Sequence, residues 1–248
     1  MASTLISLLA LGSSFLVTWQ LKARANYVEP QKPLFQDPAI NLLHLPPLGI
    51  FWLSAAEIEQ KSGELFATPN SIGAIALGAA EGTRTHNGGK TLIWKRHTDP
   101  GNGAENKGTF AWQLGAKTPE EADLKGLARL RYEAIPYLIQ QAEQQEVGFD
   151  ISTLVHGADL WNQSPDAGAD FVKNLNRCLH RDLQDDDAII LCARIESFYN
   201  PETLELEASG FDSDPQQLEQ DQIRRMQAIQ QVLKQHQQQV AITFQPES

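Results

Sequence analysis

The chain has 248 residues, 42% hydrophobic and 21% charged, the balance of a folded globular protein long enough to bury a core without a metal or disulfide staple. Its formal net charge of −11 argues against nucleic acid as a partner. Its two cysteines, Cys178 and Cys192, have no zinc or redox spacing.

Ala2 to Leu21 carries no charged side chain and is dominated by Leu, Ile, Val, Phe and Ala. The run is just long enough to span a bilayer. Ala23-Arg24-Ala25 fits the small-x-small pattern of signal-peptide cleavage before Asn26. Residues 1–25 are therefore expected to be a signal peptide or a membrane anchor. Against a simple signal, no basic residue precedes the run, and Lys22 and Arg24 follow it directly, which disfavours translocation of what comes next. A buried N-terminal helix is the plain alternative, at odds with a run that is apolar all round. Residues 26–52, with Pro30, Pro33, Pro38, Pro46 and Pro47 and little periodicity, read as an extended lead-in.

A mainly helical α+β domain is expected over 53–239. Ser54-Ala-Ala-Glu57 is a capping box that opens a helix through about Phe66. Thr68-Pro69 supplies an N-cap and a first-turn proline for a second helix, in which Ile72, Ile75, Ala76 and Ala79 follow the i, i+3, i+4, i+7 rule. Gly73 and Gly78 each lower its intrinsic helicity by up to about 1 kcal/mol, and they let another element pack close. That helix should end at Glu81-Gly82.

From Gly82 to Gly115 the period changes. Lys90-Thr-Leu-Ile-Trp94 and Gly108-Thr-Phe-Ala-Trp-Gln113 read as short strands, with turns at Asn87-Gly88-Gly89 and Asp99-Pro-Gly-Asn-Gly103. A small two- or three-stranded sheet within 82–115 follows. Next, Thr118-Pro119-Glu120-Glu121 caps a helix that turns Leu127, Ala134, Ile135, Leu138 and Ala142 inward, and Pro136 should kink it. Three further helices are expected at about 151–162, 165–183 and 187–199. A polar connection follows at 200–214, with a turn at Asn200-Pro-Glu-Thr203. The last helix runs from Pro215 to about His236, with Ile223, Met226, Ile229 and Val232/Leu233 on one face. Residues 240–248 form a tail. Cys192 sits in the apolar stretch Ile189–Ile195. The cysteines either pair in an oxidising compartment, worth roughly 3 kcal/mol in the chain-entropy model, or stay buried as free thiols.

An apolar helix that stops on one carboxylate, followed by a glycine-rich polar segment, is a way to build a general acid. Ala80-Glu81-Gly82-Thr83 resembles the Ala/Ser-Glu-Gly-Thr at the catalytic helix end of phage lambda-type endolysins. Gly108-Thr-Phe-Ala-Trp-Gln113 is similar to the Gly-x-x-aromatic-Gln strand that closes the active-site sheet in that group. The order of helix, Glu-Gly-Thr, glycine-rich sheet and helical bundle thus resembles the lysozyme-like superfamily, which includes endolysins, lytic transglycosylases and chitosanases. The motifs cover about 70–115, and the rest is similar only in helical architecture. The resemblance implies a helix bundle with a small antiparallel sheet after the catalytic helix, and Glu81 as the acid.

The chemistry stands beside the resemblance. A glycosidic oxygen leaves poorly until protonated, so a carboxyl must stay neutral near pH 7, and apolar surroundings such as Ile75, Leu77 and Ala80 favour that. The plain reading is a solvated Glu81 at the helix end, where its charge opposes the dipole. A second carboxylate would set the mechanism. Asp99 lies 18 residues on and Glu105 lies 24 residues on. A separation of about 6.5–9.5 Å from Glu81 suits inversion and about 5–5.5 Å retention. If neither faces Glu81, a transglycosylase route remains in which one glutamate acts as acid and then base. Asp99, before a proline, fits an Asx-turn equally well.

Thr83, Thr98 and Gln113 are candidates to bond sugar hydroxyls, and Trp94 and Trp112 to stack on a pyranose ring. Arg84 and His97 line the same segment. His156-Gly-Ala-Asp159 looks like a one-face pair, best read as a helix-surface hydrogen bond. From Glu81 to Lys107 five basic residues (Arg84, Lys90, Lys95, Arg96, Lys107) face three acids (Glu81, Asp99, Glu105). A basic cleft suits peptidoglycan, with its peptide carboxylates, better than cationic chitosan.

The expected function is an exported or membrane-tethered cell-wall glycan hydrolase, of muramidase or lytic transglycosylase type, that cuts β-1,4-linked amino-sugar polymers. It needs no cofactor and meets the membrane only through its N-terminal segment. Two alternatives belong to other classes: a non-catalytic envelope protein that binds glycan or a partner, and a metal-dependent hydrolase using His86, His97 and Asp99, whose spacing matches no specific metal motif.

Overall fold

The computed structural model describes residues 54–99 and 103–243, all within the second of the chain's two compact units, Pro33–Ser248. The apolar run at 1–25, the lead-in at 26–52 and the last five residues of the expected tail lie outside the described residues. The protein is mainly helical, with one two-stranded antiparallel sheet. Its helices are α1 (Ala55–Leu65), α2 (Ile72–Ala80), the single turn α3 (Leu92–Lys95), α4 (Pro119–Arg129), α5 (Ile135–Gln144), α6 (Ile151–Gln163), α7 (Pro165–Leu179), α8 (Asp186–Glu196) and α9 (Pro215–Thr243). Strands β1 (His97–Thr98) and β2 (Glu105–Asn106) pair in the register His97↔Asn106, Thr98↔Glu105.

Local capping sets most helix starts. Ser54 and Glu57 close a full capping box, and Thr118, Asp150, Ser164 and Asp185 each accept a backbone N–H three residues on. At Thr118 the box is incomplete, because the Glu121 carboxylate turns to the Lys117 N–H and the Lys125 ammonium. α2 begins later than Thr68-Pro69 implies. There the Thr68 N–H donates to Ser71 Oγ and Thr68 Oγ1 accepts from the Asn70 N–H, which makes a turn before the helix. Pro136 acts on the turn ahead of it. Residues Leu130–Ala134 widen into a π-helical turn that joins α4 to α5, which relieves the clash between the proline ring and the carbonyl four residues back.

α2 is the central element. Seven of its nine residues are buried, as expected for a helix that is apolar all round. It packs along α9 and also against α1 and α6. Its small residues permit close approach, and a Cβ at Gly78 would collide with the Arg84 side chain and the Thr109 methyl. Beyond it, α6, α7 and α8 pack in sequence, with α9 across α6 and α8. α9 continues to Thr243, so residues 240–243 are helix and not tail.

The small sheet lies within 82–115 but not on the residues expected to carry it. Leu92–Lys95 is a helical turn, because Trp94 is drawn inward: its indole N–H donates to Asp123 Oδ2 at 3.3 Å and the Lys90 ammonium covers its ring. Gly108–Ala111 is a tight turn, with Ala111 at φ 50°, closed by a single bridge between Lys107 and Trp112.

Cys178 and Cys192 form a disulfide between α7 and α8, with Cα atoms 6.1 Å apart and both residues fully buried. Of the two readings the sequence left open, the pairing is the one found. Replacing both cysteines by alanine should destabilise the domain by about 3 kcal/mol and lower the thermal midpoint by roughly 6–12 °C. Calorimetry of the double variant checks this, and an unchanged midpoint would mean that the bond constrains nothing.

Candidate functional site

Glu81 is the C-cap of α2. The next residue, Gly82, has φ +74°, a backbone conformation that favours glycine. This turn carries the chain away while the glutamate side chain points back among α6 and α9. Glu81 Oε1 accepts from Asn162 Nδ2 of α6 at 2.9 Å and from Arg225 Nη2 of α9 at 2.5 Å. Among the described residues no donor is assigned to Oε2, and the side chain keeps 14% of its surface open. Asn162 is itself fixed by a second bond, to the Phe110 carbonyl.

Behind Glu81 lies a buried ionic network. Asp159 of α6 accepts from Arg225 at 2.9 Å (Nη2 to Oδ1) and 3.0 Å (Nε to Oδ2), and from Arg194 Nη2 of α8 at 2.7 Å. The other two nitrogens of Arg194 donate to the His156 carbonyl and to Gln222 Oε1, each at 2.8 Å. The Asp159 and Arg194 side chains are fully buried and that of Arg225 is 4% exposed. Two carboxylates and two guanidiniums balance, the condition under which charge survives in a core. Burial pushes the Asp159 carboxyl up, but the guanidiniums of Arg225 and Arg194 outweigh it and hold the group below the usual carboxylate value. Burial likewise pulls Arg225 down, and Asp159 with Glu81 more than reverses this.

No family model, curated protein or solved structure matches the chain.

The other expected site residues are scattered. Thr83 is fully buried, its hydroxyl bonding the Gly78 and Thr109 carbonyls. Arg84 is buried as well, spending its donors on Thr109 Oγ1, the Gly88 and Pro69 carbonyls and Asn70 Oδ1. Trp94 is enclosed as described above. Trp112 is half-buried, with its indole N–H on the Leu114 carbonyl and the Arg129 guanidinium over its ring, and Gln113 is exposed. His97 Nδ1 meets the Ile93 carbonyl at 3.0 Å, and Thr98 is exposed on β1. The Asp99 backbone closes the β1–β2 turn, its N–H on the Ala104 carbonyl and its carbonyl accepting from Gly103.

Glu105 is bound by Lys107 at 2.5 Å and Arg96 at 3.1 Å. The hydrogen bond from Lys107, with the charge of Arg96 adding to it, holds its carboxyl below the ordinary value. These salt bridges also take two of the five cations expected in a basic cleft, and Arg84 is buried. The positive charge beside Glu81 comes instead from Arg224 and Arg225 of α9. His86 lies with Asn87 on a groove of about 810 Å3 that opens by the N-terminal end of α2, lined also by Leu65, Ile72, Ile151 and Leu233. Among the described residues no group of three or more His, Cys, Asp or Glu is placed to hold a metal ion.

His156 and Asp159 are not a surface pair. Both are fully buried; Asp159 serves the arginines, and neither ring nitrogen of His156 has a partner among the described residues. The missed residues are Asp159, Asn162, Arg194, Gln222 and Arg225. One signal was available, since Arg194 inside the apolar stretch Ile189–Ile195 requires a buried carboxylate.

Burial, with Arg194 adding to it, pushes the His156 imidazole down to about 3. It is therefore neutral in the folded protein while its unfolded counterpart binds a proton below about pH 6.5, so stability falls as pH drops between those values, by about 1.4 kcal/mol per unit. Between pH 7 and pH 5 the protein should lose about 2 kcal/mol more than a His156→Leu variant does. Denaturant titrations at the two pH values measure the difference, and parallel losses would contradict the assignment.

Proposed function

We propose that this protein is a cell-wall glycan hydrolase of lysozyme-like type, exported or tethered at the envelope, with Glu81 as its general acid. The observation that carries the reading is the division of labour within one carboxylate: Oε1 is fixed by two donors from two helices, while Oε2 is left open. A proton-transfer group must be held still and yet offer one oxygen to the substrate. In this reading Glu81 gives up its share of the charge balance when Oε2 takes up the proton that it then delivers to the glycosidic oxygen, and Arg225 stays paired with Asp159. As the bond breaks, the carboxylate that forms is stabilised in place by Arg225 and Asn162.

Glu105 is committed to Lys107 and Arg96, and Asp99 is the other carboxylate proposed as a partner. The substrate class, β-1,4-linked amino-sugar glycan with peptidoglycan favoured, rests on the Glu-Gly-Thr and Gly-x-x-aromatic-Gln resemblances. The buried disulfide is in keeping with an oxidising compartment. Among the described residues no helix is long and apolar enough to cross a membrane.

The ion pair from Arg225 to Glu81 favours a second reading, a protein that binds glycan or a partner without cutting it, in which Glu81 only completes the charge balance of the core. The same variant separates the two. With purified cell walls, the full-length protein should release soluble fragments, and Glu81→Gln should slow release at least about 100-fold while glycan binding and the helical circular-dichroism spectrum persist. A parent protein that releases nothing, or a Glu81→Gln variant that stays active, would sink the enzyme reading.

A further inference from the structure

Consecutive arginines on α9 straddle the C-terminal end of α2. Arg225 turns inward to Glu81, whereas Arg224 turns outward. Arg224 Nη1 donates to the carbonyl of Ala80, the residue before the proposed acid, at 2.9 Å. Its Nε and Nη2 both donate to Asp221 Oδ1, at 3.2 Å and 2.6 Å. Asp221 is held in turn by Gln163 Nε2 at 2.9 Å and Gln222 Nε2 at 3.4 Å. These bonds set the guanidinium against the C-terminal end of α2, yet its side chain remains 53% exposed. One N–H on each terminal nitrogen has no partner assigned among the described residues. A half-exposed guanidinium held by three bonds to two acceptors, with donors still open, is suited to an anion, and its planar fork fits a carboxylate. Of the cations expected to make a basic cleft, Arg84, Lys90, Arg96 and Lys107 are engaged elsewhere, and Arg224, although paired with Asp221, presents a guanidinium to solvent next to the residue before Glu81.

We propose that Arg224 recognises a carboxylate substituent of the glycan next to the bond that is cut, of the kind carried by a lactyl ether or peptide stem, and so selects acidic glycan over neutral or cationic polymers of the same backbone. The assignment rests on Glu81 being the acid. It makes Arg224 a specificity residue, since it binds a substituent and not the reacting atoms.

The test uses the full-length chain and two forms of one substrate: soluble peptidoglycan fragments with their carboxylates free, or converted to methylamides. The parent should cleave the free form with at least about tenfold higher kcat/KM, the worth of one charge-assisted contact. Arg224→Gln should bring that ratio close to one while retaining the fold by circular dichroism. Arg224→Lys, which keeps the charge but loses the fork, should fall between them, and it decides the matter if Arg224→Gln does not fold. Equal cleavage of the two forms by the parent, or a preference that survives Arg224→Gln, overturns the proposal. If the parent cleaves neither form, the acid assignment fails separately, and binding of labelled fragments decides the subsite. Tenfold tighter binding of the free form, lost in Arg224→Gln, upholds it; equal binding overturns it.

Discussion

One carboxylate shared by two guanidiniums deep in the core is the interaction on which the site depends. Asp159 is fully buried, and so is Arg194. Either alone would cost several kcal/mol to desolvate. They are tolerated because each finds the other and because Gln222 and the His156 carbonyl each accept from one of the other two nitrogens of Arg194. Arg225 adds a second positive charge that Asp159 cannot neutralise alone. Glu81 supplies the missing negative charge from the end of α2. The network therefore ties together α2, α6, α8 and α9, and it fixes the one carboxylate in the set that still reaches solvent.

That arrangement explains how α2 serves the site. A nine-residue helix of Ile, Gly, Ala and Leu has no side chain of its own able to orient a terminal glutamate. Orientation comes from its neighbours, and the small residues let α9 approach closely enough to supply Arg225. Gly82 lets the main chain leave the helix sharply. The turn is held from outside as well, since the Thr91 hydroxyl donates to the Gly82 carbonyl and the Thr91 N–H to the Thr83 carbonyl. The inner oxygen of the carboxylate thus belongs to the core and the outer one to the surface.

What could be read from the sequence follows the range of the interactions involved. Helix starts were legible where a cap is made within three residues, as at Ser54 and Thr118, and the disturbance by Pro136 was legible because a proline acts on its own preceding turn, although the result is a π-helical turn. The sheet was placed in the correct interval but on the wrong residues. Trp94 alternates well enough for a strand, yet Asp123, 29 residues on, pulls it into a helical turn. Glu81 was legible as the end of an apolar helix. Its partners were not, because Arg225 lies 144 residues away and meets an aspartate 66 residues off, and pairing at that range leaves no local pattern. The only trace is a charge where an apolar helix should have none, at Arg194.

The central claim is that the core holds Glu81 through Arg225, and a double-mutant cycle tests it most directly. Unfolding free energies of the parent, Glu81→Gln, Arg225→Gln and the double variant should give a coupling of about 1–3 kcal/mol in favour of the native pair. Strictly additive losses, within about 0.3 kcal/mol, would show that the two side chains do not act together and would contradict the account.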